Sequence, residues 1–503
     1  MMQHLKAIVL LHILICVFPF TLLAQHNNGA VIPGDFADPS IIKAGNKYFA
    51  VGTSSEWAPH FPLYQSSDLK HWRQSGYVFN KTPEWASGSF WAPEYYKIKD
   101  TYYIYYTARR KTDNKSYIGV ATSKYPDKAF TDHGVLVAFG SEAIDAFIFN
   151  DNGQLYITFK AYGLDNRPIE ILGSKLSADG LKLEGQPFSL LKDEQRIGME
   201  GQSFLKKDGF YYLFYSAGNC CGGNCGYNVR VARSRSFKGP YTYYSANPIL
   251  SENEKWKCMG HGTFIKGPTG ADMYLHHAYN RESTVFTGRQ GLISELVRPT
   301  KEGWPLFKTQ QITGDEPADI NESFNGQLPA NFWQWDFRNA APAISQHKGI
   351  LHLSGTVKPG NETGIVLTAR PVSGNLSIAT TVVNHNNALK GLCLYGDATI
   401  AVGIGVQNNQ ITLWEVTANK YSSLKKVPAN DKLPVQLKLE LVGTKTCVFY
   451  YRQGTSKWKQ LKTDTALKTD LLPQWDRSPR AGLHFNGDDK LDAQFSDFRM
   501  VNQ

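Results

Sequence analysis

The chain has 503 residues, with 54 Lys and Arg against 44 Asp and Glu and a formal charge of +10. With 42% hydrophobic and 19% charged residues, the composition excludes an intrinsically disordered chain and a many-span membrane protein. The basic residues are scattered rather than clustered, so neither nucleic acid nor a membrane is expected as a partner.

Residue Lys6 is followed by an apolar run over 7–23, broken only by His12 and Thr21 and ending at Ala24-Gln25. The run is short for a membrane span and predicts an export signal over residues 1–24. The mature chain is then periplasmic or extracellular, in an oxidising setting. Its length exceeds what one hydrophobic core supports, which predicts two domains.

The next three hundred residues carry an internal repeat. Five segments open with Asp38-Pro-Ser, Ala92-Pro-Glu, Asp145-Ala-Phe, Glu200-Gly-Gln and His261-Gly-Thr. Each continues through a polar turn into a strand dense in Tyr or Phe, such as Tyr102-Tyr-Ile-Tyr-Tyr or Tyr211-Tyr-Leu-Phe-Tyr. The opening positions 38, 92, 145, 200 and 261 lie 54, 53, 55 and 61 residues apart. A repeat of this period made only of short strands predicts an all-β fold, a five-bladed β-propeller over 25–317. Equivalent positions of the blades then converge at one channel mouth.

Four of those five positions are polar: Asp38, Asp145, Glu200 and His261, with Ala92 the exception. Singly, each acid reads as a turn or cap residue facing water. Three carboxylates at one register of a repeat have no packing reason, because they repel and lose solvation together. They are read as a catalytic cluster.

Within the fourth repeat, Cys220, Cys221 and Cys225 stand close together, and Cys258 lies further on. The spacing lacks the paired C-x-x-C pattern usual for zinc, and export favours disulfides, with the pairing open. After a polar stretch over 308–321, alternating strands are expected at 349–354, 364–369, 376–383, 400–406, 411–416, 435–441 and 447–452. They predict a β-sandwich accessory domain over 318–503. Trp333 and Trp335 are placed in its core rather than on a sugar.

The segments Ala37-Asp-Pro-Ser-Ile, Trp91-Ala-Pro-Glu, Ile144-Asp-Ala-Phe, Met199-Glu-Gly and Gly260-His-Gly-Thr-Phe, with Gly288-Arg-Gln-Gly-Leu and Gly303-Trp-Pro, resemble glycoside hydrolase family 43 over about residues 30–307. Phe324-Asn-Gly-Gln-Leu-Pro and Phe332-Trp-Gln-Trp resemble the concanavalin-like domain of some members. The resemblance implies hydrolysis with inversion, with Asp38 as general base, Glu200 as general acid and Asp145 as the acid that tunes and orients Glu200. It also implies that Arg289 hydrogen-bonds sugar hydroxyls, where a surface strand residue is the alternative. Trp91, and more weakly Phe36, are read as sugar-facing aromatics or as plain core. No cofactor is required. A calcium ion held at the axis by His261 through waters is one reading, and a channel histidine without metal is the other.

The expected substrate is a plant-type polysaccharide or oligosaccharide. The leading activity is α-L-arabinofuranosidase. The alternative is β-xylosidase, with endo-arabinanase and exo-galactosidase behind it. A non-catalytic sugar-binding propeller would lack one of the acids, and all three are present.

Overall fold

The computed structural model describes residues 29–162, 168–298, 300–326, 329–463 and 467–502; the export signal expected over 1–24 lies outside the described residues. Among the described residues the regular structure is β-strand apart from one 3-10 turn at Thr284–Phe286. Five four-stranded antiparallel sheets follow one another along the chain, each strand pairing with the next in its sheet. Their first strands are Ser40–Ala44, Ala86–Ile98, Glu142–Asp151, Glu200–Lys207 and Trp256–Lys266. Each first strand packs against the first strand of the next sheet, and the fifth returns to the first.

Why these segments are so aromatic follows from the two-residue period of a strand. In Thr101–Arg110, Tyr103 and Tyr105 enter a core shared with the third sheet, while Ile104, Tyr106 and Ala108 enter one shared with the first. In Phe210–Ala217, Tyr211, Leu213 and Tyr215 face the third sheet, and Tyr212 and Phe214 face the fifth. A strand buried on both faces gains from large apolar residues at every position rather than at alternate ones.

Each opening motif carries a β-bulge or sits just before its strand. The bulges fall between Trp91 and Glu94, Ile144 and Phe147, Glu200 and Ser203, and Gly260 and Gly262. The extra residue takes a left-handed conformation, with φ of 50° at Asp38, 44° at Ala92, 60° at Asp145, 57° at Gly201 and 42° at His261. The fourth repeat therefore differs from the expected alignment. By ladder register Gly201, not Glu200, matches Asp145 and His261, while Glu200 matches Trp91 and Ile144. Glycine is required there, because a Cβ on Gly201 would lie 2.8 Å from His261 Cγ.

Beyond residue 311 the chain builds two larger sheets, of nine and six strands among the described residues. They share one core, to which Leu351, Ile378 and Leu437 come from the first sheet and Leu367, Ile404 and Leu483 from the second. The polar connection starts later than expected, since Leu306–Gln311 is the fourth strand of the fifth small sheet. The strands Leu389–Asp397 and Arg480–Asn486 were not foreseen. The first carries buried Lys390, whose ammonium donates to Asn386 Oδ1 at 2.7 Å, and the second carries buried Arg480 and His484. These polar residues break the apolar pattern that marks a strand in sequence. Trp333 is buried in the shared core, and Trp335 packs against it.

The two parts of the chain are joined tightly. Trp57 is buried among Val366, Leu389, Cys393 and Tyr395, and its short strand pairs with Trp335–Asp336. Asp35 meets Arg480 at 3.4 Å.

Candidate active site

Where the first strands meet, a cavity of about 440 Å³ is lined by Asp38, Asp145, Glu200, His261, Arg289 and Trp91 together. A chain of hydrogen bonds holds their backbones in place. Thr53 Oγ1 accepts from Ala92 N at 2.8 Å, Thr107 Oγ1 from Asp145 N at 3.3 Å, and Ser216 Oγ from His261 N at 2.8 Å. Asp145 Oδ2 accepts from Gly201 N at 3.1 Å. His277 Nδ1 accepts from Asp38 N at 3.0 Å, which links the fifth sheet to the first. Each bulged N–H thus finds its partner on the preceding sheet, and the unpaired residue is held rather than left free.

Asp38 is buried, which by itself favours its neutral form. Arg289 Nη1 at 3.5 Å, His261 Nδ1 at 3.4 Å and the His277 contact outweigh this and hold the carboxyl well below the usual carboxylate range. Thr53 Oγ1 also donates to Asp38 Oδ2 at 2.7 Å. Burial pushes His277 down to about 4, so it is neutral at pH 7 and serves as the acceptor for Asp38 N–H.

The other two acids are set differently. Asp145 is raised to about 6 by burial and by the charges of Glu200 and Asp38, against the pull of His261 and Lys160. Burial also acts on Glu200, but Lys160 Nζ at 2.5 Å from Oε2, His261, and Tyr227 donating to Oε1 at 2.9 Å hold it below its ordinary value. Asp145 is thus shifted upward and Glu200 downward, directions opposite to those expected of an ionised Asp145 that keeps Glu200 protonated.

Arg289 is buried, not a surface strand residue. Its Nη2 donates to the Asp476 carbonyl at 2.9 Å, and its Nε is shielded from solvent and has no hydrogen-bond partner among the described residues. Trp91 lies half-buried on the pocket wall, with Nε1 donating to Asp476 Oδ2 at 3.1 Å. Phe36 does not reach the pocket. It is fully buried, edge-on to Tyr64 at 5.1 Å and tight against Gly52, and it belongs to the core between the first and fifth sheets. His261 presents Nδ1 to Asp38 and, at 3.9 Å, to Asp145. Among the described residues no group of three or more His, Cys, Asp and Glu side chains is placed to hold a metal ion. The cysteines form disulfides, Cys220–Cys221 and Cys225–Cys258.

Lys160, Tyr227 and His277 escaped the sequence reading. A signal existed for two of them. Thr107, Lys160, Ser216 and His277 pair across from Trp91, Ile144, Glu200 and Gly260, so a polar residue closes each aromatic strand at one register. Trp475 and Asp476 were out of reach, since they arrive on a loop from the C-terminal region.

Comparison with known proteins agrees with this geometry. The family model for glycosyl hydrolases family 43 matches residues 28–305. An extracellular exo-α-(1→5)-L-arabinofuranosidase of Cellvibrio japonicus is 29% identical over 318 residues, covering 55% of this chain and 88% of that protein. A xylan 1,3-β-xylosidase of a Vibrio species is 28% identical over 373 residues, covering 68% of this chain and 66% of that protein. The crystal structure of a xylan β-1,4-xylosidase from Bacillus halodurans C-125 shares the fold at a TM-score of 0.81 and 21% identity, over 94% of this chain and 99% of that one. The match to the family model spans more than half of the sequence and contains Asp38, Asp145 and Glu200, and on that ground the chain belongs to glycosyl hydrolases family 43.

Proposed function

We propose that the five small sheets are the blades of a five-bladed β-propeller over about residues 25–317, and that the two larger sheets are a β-sandwich over 318–503. The hydrogen bond from Asp38 N to His277, which returns the fifth sheet to the first, supports a closed ring. The pocket at its mouth is the site of an exported glycosidase that inverts configuration. Asp38 is the general base that activates water, Glu200 is the general acid, and Asp145 shares and directs Glu200's proton. No cofactor enters this scheme, because base, acid and tuning carboxylate are all protein groups. Calcium is left out of it, since His261 turns Nδ1 toward the carboxylates.

One observation carries the reading. Asp38, Asp145 and Glu200, from three different sheets, line one cavity together with Arg289 and Trp91. A base, an acid and a third carboxylate facing one space are what a site needs to run base and acid chemistry together. A leaving-group oxygen entering beside Glu200 Oε2 takes the place of Lys160, removes its hold on the carboxylate, and lets the proton pass from Asp145 to Glu200.

The leading substrate is an α-L-arabinofuranosyl unit, supported by the named activity of the Cellvibrio relative. The second reading is a β-xylosyl unit, favoured because the similarity to the Vibrio xylosidase covers 68% of this chain. A panel of 4-nitrophenyl glycosides decides between them. The better substrate should release a sugar whose first-formed anomer is inverted, seen by proton NMR before mutarotation. A retained anomer overturns the assignment of Asp38 as base.

Lys160 supplies a pH test. Lys160→Met removes the positive charge that holds Glu200 down, so the carboxyl keeps its proton to higher pH. The basic limb of kcat/KM should then move upward by about one to two pH units, the usual effect of one adjacent opposite charge. An unmoved limb would separate Lys160 from the acid.

A further inference from the structure

The doubled cysteine at 220–221 is not used by the chemistry above, yet it lies on the wall of the cavity that holds the three acids. Cys221 is buried, with its sulfur 3.5 Å from Arg289 Nη1, and the same guanidinium nitrogen is 3.5 Å from Asp38 Oδ1. Cys220 keeps part of its surface open. The pair therefore stands beside the reacting centre.

The loop that carries the pair is tightly held. Gly218 N donates to the Ile197 carbonyl at 2.6 Å and Gly226 N to the Asn219 carbonyl at 3.0 Å, which pinches the loop at its base. The second disulfide, Cys225–Cys258, ties it to the first strand of the fifth sheet. Trp475, 59% exposed, lies along it, because a Cβ on Gly222 would be 3.7 Å from Trp475 Cδ1.

A bound sugar has hydroxyl edges and apolar C–H faces. Asp38, Asp145, Glu200, Lys160, His261 and Arg289 serve the edges. The disulfide supplies surface of the other kind beside Arg289, with Cys221 Sγ 3.5 Å from Nη1. A disulfide donates no hydrogen bond, and its sulfurs are weak acceptors and highly polarisable. The bond also closes adjacent residues into a small ring, so little freedom remains to be lost when a ligand packs on it.

We infer that the Cys220–Cys221 disulfide is a sugar-contacting wall of this pocket, with the C–H face of the glycosyl unit held by Arg289 packed on its sulfurs and Trp475 extending the surface outward. The inference rests on the proposed reading of the cavity as the glycosyl site. It makes the pair a specificity-determining element rather than a fold staple, a role left to Cys225–Cys258.

The test compares wild type with C220S/C221S and with C225S/C258S. It uses 4-nitrophenyl α-L-arabinofuranoside and β-D-xylopyranoside as substrates, and free L-arabinose and D-xylose as inhibitors. Replacing the sulfurs by hydroxyls should raise KM and the inhibition constant of the matching sugar together by about tenfold, the scale of one lost apolar contact. The kcat value should stay within about threefold, since the wall binds ground and transition states alike. C225S/C258S should lower thermal stability more than it raises KM. If C220S/C221S does not accumulate, C225S/C258S treated with a phosphine reductant, its newly alkylated thiols mapped to Cys220 and Cys221 by mass spectrometry, is compared with the same variant left unreduced. Unchanged KM and inhibition constants overturn the wall, as does a fall in kcat alone or an equal rise in KM from C225S/C258S. A wild type that cleaves neither glycoside nor any other of the panel would instead defeat the reading of the site.

Discussion

Asp38→Asn is expected to lower kcat/KM by about three to four orders of magnitude, the upper range for losing one general base. The residue is buried, nearly isosteric with its replacement, and fixed through its backbone N–H to His277 and its carboxyl to Thr53. Folding should therefore survive. What is lost is the negative charge that Arg289 and His261 hold ionised, and an amide cannot take a proton from water. Because Arg289 and His261 outweigh the cost of burying the ionised carboxyl, that charge stabilises the fold near neutral pH, so a lower thermal midpoint than wild type should accompany the loss of activity. Steady-state kinetics with calorimetry on the same preparation checks both. A loss below about tenfold would place the base elsewhere.

Glu200→Gln should separate substrates by their leaving groups. Arabino- or xylo-oligosaccharides need a proton on the departing oxygen and should lose about a thousandfold or more in kcat. A 2,4-dinitrophenyl glycoside leaves with little help and should lose far less. The amide oxygen can still accept from the Tyr227 hydroxyl, whose bond to Oε1 is 2.9 Å, while the amide nitrogen cannot replace Oε2 as the acceptor for Lys160. The basic limb of the pH profile should vanish with the acid. Equal losses on both substrate types would show that Glu200 acts only by holding Lys160 and Tyr227 in place.

The repeat and the acids were legible in the sequence because both are local. A strand buried on two faces must be apolar at every position, so each second strand announces itself as Tyr102-Tyr-Ile-Tyr-Tyr does. The opening motifs Asp38-Pro-Ser, Asp145-Ala-Phe and Met199-Glu-Gly mark the same turn of each repeat, and acids there have no packing reason. Asp38, Asp145 and Glu200 could therefore be named before any coordinates.

What only the tertiary structure decided is how those residues meet. A bulge adds one residue to one strand, and which side chain then points inward depends on the pairing partner, not on the spacing between motifs. That is why Glu200 falls in register with Trp91 and Ile144 while Gly201 takes the left-handed position, and why Phe36, beside the base in sequence, is core. Lys160, Tyr227 and His277 act through contacts made across strands or between neighbouring sheets, and those of Lys160 and Tyr227 pull Glu200 downward. Cys220 pairs with its own neighbour because the pinched loop holds the two sulfurs together and presents Cys225 to Cys258. Trp475 and Asp476 reach the pocket from more than a hundred and fifty residues beyond the last acid, because the C-terminal sheets are packed onto Trp57 and Asp35. Burial, pairing and distance are properties of the assembled chain, and they bring a set of acids scattered along the sequence into one pocket.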